Sequence, residues 1–213
     1  MNGKEVLLSH HSEELAHPFR EEVSQSRHSS YPPHSLIYHR WSPRSMSGEK
    51  ITQEELLHLI EAARWAPSAS NNQPWIFIYA HRETPEWDTL FELLLPSNQI
   101  WVKNGAVLLL LISKNHFYHN GKSSRTHSFD TGAAWMALAL QGSFLGYVVH
   151  GMEGFNYEKA TKNLQIPEGY TVEAMIVVGK KAPKEKLPPD FQSKEFPSSR
   201  KAIETIMKKG TFT

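Results

Sequence analysis

The stretch Ala66-Pro67-Ser68-Ala69-Ser70-Asn71-Asn72-Gln73-Pro74-Trp75 marks the point where a helix ends and a strand begins. Pro67 pushes the residue before it out of helical backbone, and the Ser/Asn/Gln run that follows is turn chemistry rather than core. Upstream, Thr52 and Glu55 have the spacing of a capping box, and Leu56, Ile60 and Ala63 recur at helical period, so a helix is expected up to about Ala66. Downstream, Trp75-Ile-Phe-Ile-Tyr79 is aromatic and β-branched, which predicts a strand.

Working outward, Thr84-Pro85 opens a helix with Trp87, Leu90, Phe91 and Leu94 on its apolar face, ending near Pro96. Ala106 to Ser113 is an aliphatic run of strand length, consistent with a strand buried on both faces. Phe129 to Leu145 is apolar nearly all round and predicts a helix deep in the core or in an interface, where Gly132, Ala133 and Ala137 let another helix approach. Tyr147 to His150 reads as a short strand, Tyr157 to Leu164 as a short helix and Val172 to Val178 as the last strand of the main body. Lys180 to Arg200, with Pro183, Pro188, Pro189 and Pro197, predicts no regular core element, and a final helix is expected from Lys201 to Lys208. The polar, His-rich stretch up to His39 reads as an extension. With no internal repeat, the expectation is one α+β domain at 38–213, with residues 1–37 an N-terminal extension, partly disordered or wrapped on a dimer partner.

The composition narrows the chemistry. The 213 residues contain no cysteine, which removes disulfides, thiolate nucleophiles and Cys-ligated metals. Lys plus Arg number 23 against 22 Asp plus Glu, a net charge of +1 that argues against a nucleic-acid face. The aliphatic run Ala106–Ile112 spans seven residues, against ~20 for a bilayer crossing, and no apolar signal core opens the chain. A cytoplasmic protein with no membrane or nucleic-acid partner is expected. Of the twelve histidines, His10, His11, His17, His28 and His34 fall in no ligand register and read as surface residues, so no metal site is expected.

No G-x-S-x-G elbow, H-E-x-x-H or P-loop occurs, and Gly142, Gly146 and Gly151 do not form a dinucleotide fingerprint. Two other segments carry more chemistry. Arg40-Trp41-Ser42-Pro43-Arg44 places two guanidinium groups and a hydroxyl ahead of the first core helix, either a phosphate-binding turn or a solvated basic one. The loop from Ser68 to Gln73 offers amides and hydroxyls to a heteroaromatic ring or a ribityl chain, or serves as an ordinary turn.

Together these segments resemble the opening of the nitroreductase family of flavin-dependent oxidoreductases. The resemblance continues through Asn98-Gln-x-Trp-x-Lys-Asn104, Asp130-x-Gly-x-Ala134, Met152-Glu-Gly-Phe-Asn156, Ile166-Pro-Glu-Gly-Tyr170 and Arg200-Lys201, in the family's order, from about Tyr38 to Met207. It implies a nitroreductase-like α+β fold, a central mixed or antiparallel sheet flanked by helices with extended terminal arms, and a homodimer sharing two FMN sites. It also implies electron transfer from NADH or NADPH through FMN to a small organic acceptor, nitroaromatic or quinone in type, by a ping-pong cycle. No catalytic side chain is then needed, because the flavin carries the chemistry.

Carried onto this sequence, the resemblance gives Arg40 and Ser42, flanking Trp41, the FMN phosphate together with Arg200 and the adjacent Lys201. Arg44 and Asn98 would face the flavin pyrimidine edge, and the peptide N–H groups of the Met152-Glu153-Gly154 segment would lie near N5. Pro67, Ser68 and Asn71 would approach from the other subunit, with Gln73 nearby. Ser198 stands where many relatives carry a second basic residue, which weakens the clamp or passes the role to Lys201, and Gly151 stands where a larger side chain is common. Trp41, Phe117, Tyr118 and Phe155 are either pocket walls or core. Other readings are a flavin-binding sensor or storage module without turnover, or a family variant performing reductive dehalogenation or flavin breakdown, though such variants usually add a lid and none is evident.

Overall fold

A computed structural model describes residues 17–212. Its centre is a four-stranded sheet in the order β1-β2-β4-β3, formed by β1 (Trp75–His81), β2 (Val107–Lys114), β3 (Tyr147–Met152) and β4 (Tyr170–Lys180). Every pairing is antiparallel, with Trp75 opposite Ser113, Leu109 opposite Ile176 and Val149 opposite Val178. In chain order the helices are α1 (Arg20–Ser24), α2 (Ser35–Tyr38), α3 (Gln53–Arg64), α4 (Pro85–Phe91), α5 (Pro96–Val102), α6 (His127–Phe144), α7 (Tyr157–Asn163), α8 (Pro189–Gln192) and α9 (Ile203–Ile206).

The side-chain period of two along β2 builds the layers. Val107, Leu109 and Leu111 enter the core beneath α3 and α6 with Leu59, Ala63, Ala134 and Leu138. Leu108, Leu110 and Ile112 enter the opposite core with Trp87, Leu90, Trp101 and Ala160 from α4, α5 and α7. A strand buried on both faces needs the uninterrupted aliphatic run the sequence contains. The capping box at α3 forms as the spacing predicts: Glu55 N–H donates to Thr52 Oγ1 at 3.1 Å and Thr52 N–H to Glu55 Oε2 at 2.7 Å.

Three segments differ from the sequence reading. The expected helix from Thr84 to Pro96 is two helices, because Pro96 starts α5 at its first turn instead of closing α4. Between them the chain turns at Glu92 and Leu93 and then bridges Leu94 to Phe155, with Leu95 N–H donating to the Gly154 carbonyl at 3.0 Å. The expected helix 201–208 shrinks to the single turn of α9, whose residues are all exposed, so little packing supports so short a helix. The Pro-rich segment after Lys180 makes one 3-10 turn and α8, yet it buries Leu187 in the core.

Residues 1–16, including His10 and His11, lie outside the described residues, as does Thr213. Part of the stretch 17–37 packs on this chain itself: Phe19 and Val23 are buried with Trp41, whose indole N–H donates to Glu22 at 2.7 Å, whereas residues 28–34 are exposed. His17, read as a surface residue, is buried against Phe19 and His39 and lies 3.4 Å from the Ser143 hydroxyl. Two of these contacts, His39 and Ser143, are distant in the chain and leave no local pattern. His28 and His34 are exposed. Among the described residues, no helix is long and apolar enough to cross a membrane.

Candidate functional site

The segment Arg40–Arg44 leaves α2 and is held from three sides. Glu195 accepts hydrogen bonds from the Arg44 and Ser45 N–H groups at 2.7 and 2.9 Å, the Ser45 hydroxyl donates to the Pro183 carbonyl at 2.6 Å, and His150 Nδ1 lies 2.9 Å from the Pro43 carbonyl. Backbone fixed in this way presents Arg40, Ser42 and Arg44 to a cavity of about 300 Å³, closed by His150, Lys194, Phe196, Ser198 and Arg200. Arg40 Nη1 donates to the Ser42 hydroxyl at 3.1 Å, so the two groups share one locus. No carboxylate lines this cavity.

A cation missed by the sequence reading completes it. Arg27, in the stretch read as an extension, donates from Nε to the Ser198 carbonyl at 3.0 Å and from Nη1 to the Tyr38 and Arg40 carbonyls at 2.6 and 3.0 Å. Only the fold brings it there; a lone arginine in a polar stretch gives no periodic or motif signal. Burial, and then the Arg200 charge, hold the Arg27 and Arg40 guanidiniums below their ordinary pKa, with Arg40 also acting on Arg27. Burial is also the main cause that lowers His150 to about 4, opposed in part by its bond to Pro43 and reinforced by Arg44 and Arg40. Arg44 is also paired with the buried Glu195 carboxylate at 3.9 Å, whereas Arg27, Arg40 and Arg200 have no carboxylate partner among the described residues, and such mutually repelling cations are the donor set of an anion site.

Ser198 contributes no charge: its hydroxyl accepts from Arg200 Nη1 at 3.0 Å. Lys201 lines a second cavity of about 530 Å³ that shares Arg27, Arg40 and Arg200 with the first and adds Tyr31, Ile37 and Met136. Trp41 borders the smaller cavity but belongs to the Phe19–Val23 packing cluster. Phe155 is core, and Tyr118 is exposed with the Lys114 ammonium 3.6 Å from its ring centre.

A second group of predicted residues gathers at the end of β3. Asn98, at the start of α5, donates Nδ2 to the Gly154 carbonyl at 3.0 Å and accepts the Trp101 indole N–H at 3.3 Å. Among the described residues, the Glu153 and Gly154 N–H groups have no backbone acceptor, whereas Leu95, Phe155 and Asn156 around them are paired. Met152 is buried beneath this turn. Gly151 faces Trp135 of α6, where a Cβ would stand 3.1 Å from the indole, and Trp135 Nε1 is buried without a partner. The small residue at 151 is therefore matched by a large one at 135.

The third group is the loop after α3. Pro67, Ser68, Asn71 and Gln73 line neither of the two cavities. The loop is built, not slack: Ser70, Asn71 and Gln73 adopt left-handed backbone at φ of 53°, 52° and 49°, and Gln73 N–H donates to Ser68 Oγ at 2.9 Å. Buried Asp130 of α6 accepts from Ala69 N–H at 3.1 Å and Thr126 Oγ1 at 3.2 Å. Asn72 ties the loop to the next one by accepting from Tyr118 N–H at 2.9 Å.

A family model described as the nitroreductase family matches residues 37–180. An oxidoreductase containing FMN, of known structure, is 46% identical over 88% of this chain and 96% of its own, with a TM-score of 0.84. A nitroreductase family protein from Clostridium difficile 630 shares the fold at 19% identity, with a TM-score of 0.64 over 83% of this chain and 97% of its own. A protein of Archaeoglobus fulgidus, provisionally named NADH dehydrogenase/NAD(P)H nitroreductase, is 46% identical over 43 residues, which span 20% of this chain and 25% of that protein. The family match over most of the sheet and both flanking layers, with a 46% identical structure that follows nearly the whole chain, establishes that this protein belongs to the nitroreductase family.

Proposed function

We propose that the chain binds FMN and passes electrons from NADH or NADPH to a small organic acceptor of nitroaromatic or quinone type, in a ping-pong cycle. The observation that carries this reading is the cavity of about 300 Å³ lined by Arg40, Ser42, Arg44 and Arg200, with no carboxylate among its described lining residues. It has the size and charge for a phosphate monoester, and the paired N–H and hydroxyl donors suit its oxygens. The FMN-containing relative at 46% identity supports the choice of flavin, and the Archaeoglobus name supports a nicotinamide donor.

In this reading Arg40, Ser42 and Arg200 hold the phosphate, with Lys201 beside it and Trp41 as packing behind it. Arg44 and Asn98 face the pyrimidine edge of the ring. The unpaired Glu153 and Gly154 N–H groups, next to Met152, are donors for the ring's central edge, where fixed dipoles act without reorganising. When bound, FMN supplies the hydride and electron chemistry. Pro67, Ser68, Asn71 and Gln73, turned away from both cavities of their own chain, serve the site of a second copy. Phe129 at 80% exposure, Phe144 at 54% and Leu145 at 43% leave the ends of α6 with apolar surface for that copy to cover.

An anaerobic absorbance spectrum with FMN, before and after NADH or NADPH, tests the reading. Bleaching of bound flavin by either nicotinamide is expected. Bound flavin that neither reduces refutes the oxidoreductase and leaves a binding module; no uptake of FMN refutes the site.

A further inference from the structure

Arg27 makes three contacts that join segments far apart in sequence. Its Nε donates to Ser198 in the C-terminal segment, and Nη1 bridges the Tyr38 and Arg40 carbonyls at the head of the basic turn. Among the described residues it has no carboxylate partner, and Nη2 has no hydrogen-bond acceptor. Three carbonyls therefore fix the orientation of a charge that no carboxylate among the described residues neutralises. The same guanidinium lines both cavities, in each case with Arg40 and Arg200. Residue 27 also lies outside the stretch matched by the family model, 37–180.

A brace alone does not need this arrangement. Three carbonyl acceptors could be met by a neutral donor, whereas a third guanidinium beside Arg40 and Arg200 is held below its ordinary pKa by burial and then by the charges of Arg200 and Arg40. The cost is relieved only when an anion enters. Arg27 and Arg200 converge on Ser198, whose own side chain carries no charge: both donate to its carbonyl, at 3.0 and 3.2 Å.

We propose that Arg27 is a phosphate-binding residue of the flavin site, so that the segment before α2 forms part of the cofactor cradle. The inference rests on the FMN reading and extends it to a residue outside the matched domain. Arg27 supplies the positive charge at the Ser198 position through its Nη2 edge, and Arg40 and Arg200 complete a three-guanidinium clamp. A clamp of this kind recognises the phosphate and not the ring, which separates it from a structural brace.

The test compares FMN with riboflavin, which lacks the phosphate. Each flavin is titrated into the full-length apoprotein and followed by quenching of flavin fluorescence, for the natural chain, Arg27→Gln and Arg27→Lys. The expected result for Arg27→Gln is a loss of FMN affinity of about ten- to hundredfold with riboflavin affinity unchanged. Arg27→Lys, which keeps the charge, should recover part of the preference for FMN. Equal losses for both flavins reduce Arg27 to a brace and overturn the proposal, as does an Arg27→Gln variant with full FMN affinity. A natural chain that takes up neither flavin overturns the FMN reading together with this one, whereas the variant results overturn this one alone.

Discussion

Asn98 and Gly154 are locked together: the Asn98 amide donates to the Gly154 carbonyl at 3.0 Å, and a Cβ on residue 154 would stand 2.6 Å from that same nitrogen. The glycine is required by close approach, not by an unusual φ. The pair joins the start of α5 to the turn after β3 and so sets where the Glu153 and Gly154 N–H groups point.

Gly154→Ala must displace the Asn98 amide, and Asn98→Ala removes it. Each is expected to destabilise the protein by about 1–2 kcal/mol in urea unfolding, with the double variant little worse than either single one. Additive losses would show that the two residues act separately.

Arg40→Ala is expected to lower FMN affinity about ten- to hundredfold, the cost of one charge-assisted contact, while leaving a folded apoprotein. Equilibrium dialysis reads it directly. Full flavin occupancy in the variant removes Arg40 from the phosphate site.

Asp130 holds the left-handed loop through Ala69 N–H. Asp130→Ala leaves that donor and the Thr126 hydroxyl without their partner, so amide exchange across residues 68–73 should accelerate, with a stability loss of about 1–3 kcal/mol. Unchanged exchange in the loop would mean that its backbone strain is held elsewhere.

Acid should destabilise the fold through two histidines. His150, lowered to about 4 mainly by burial, and His17, lowered to about 4 by burial and by its neighbour His39, are neutral in the fold but protonate near pH 6.5 once exposed. The unfolded chain therefore binds more protons between pH 6.5 and 4. Stability is intact above about pH 6.5 and falls on the way down, by about 3 kcal/mol at pH 4 for His150 alone. Thermal melts of His150→Gln across that range should show a shallower acid limb; an unchanged slope would exclude His150 as its source.

Much of the architecture is legible in short-range pattern. The capping box at Thr52 and Glu55, the aliphatic run of β2 and the all-round apolar α6 each state their structure locally, because helix and strand periods are properties of adjacent residues. Pro96 reads as a helix end but opens α5, for a physical reason: the same ring that forbids the interior of a helix favours its first turn, and the pairing of Leu94 with Phe155 shows which applies.

The sequence by itself determined the element types, the absence of cysteine chemistry, and the basic turn, polar loop and glycine turn that carry the family likeness. Tertiary structure alone decided what those segments meet. Arg27 joins Arg40 and Arg200 across the fold, Asp130 reaches back to Ala69, Trp135 fills the space Gly151 leaves, and His17 disappears into the interior. None of these pairings follows from periodicity, because each joins residues distant in the chain whose approach is set by how the two helical layers close on the sheet.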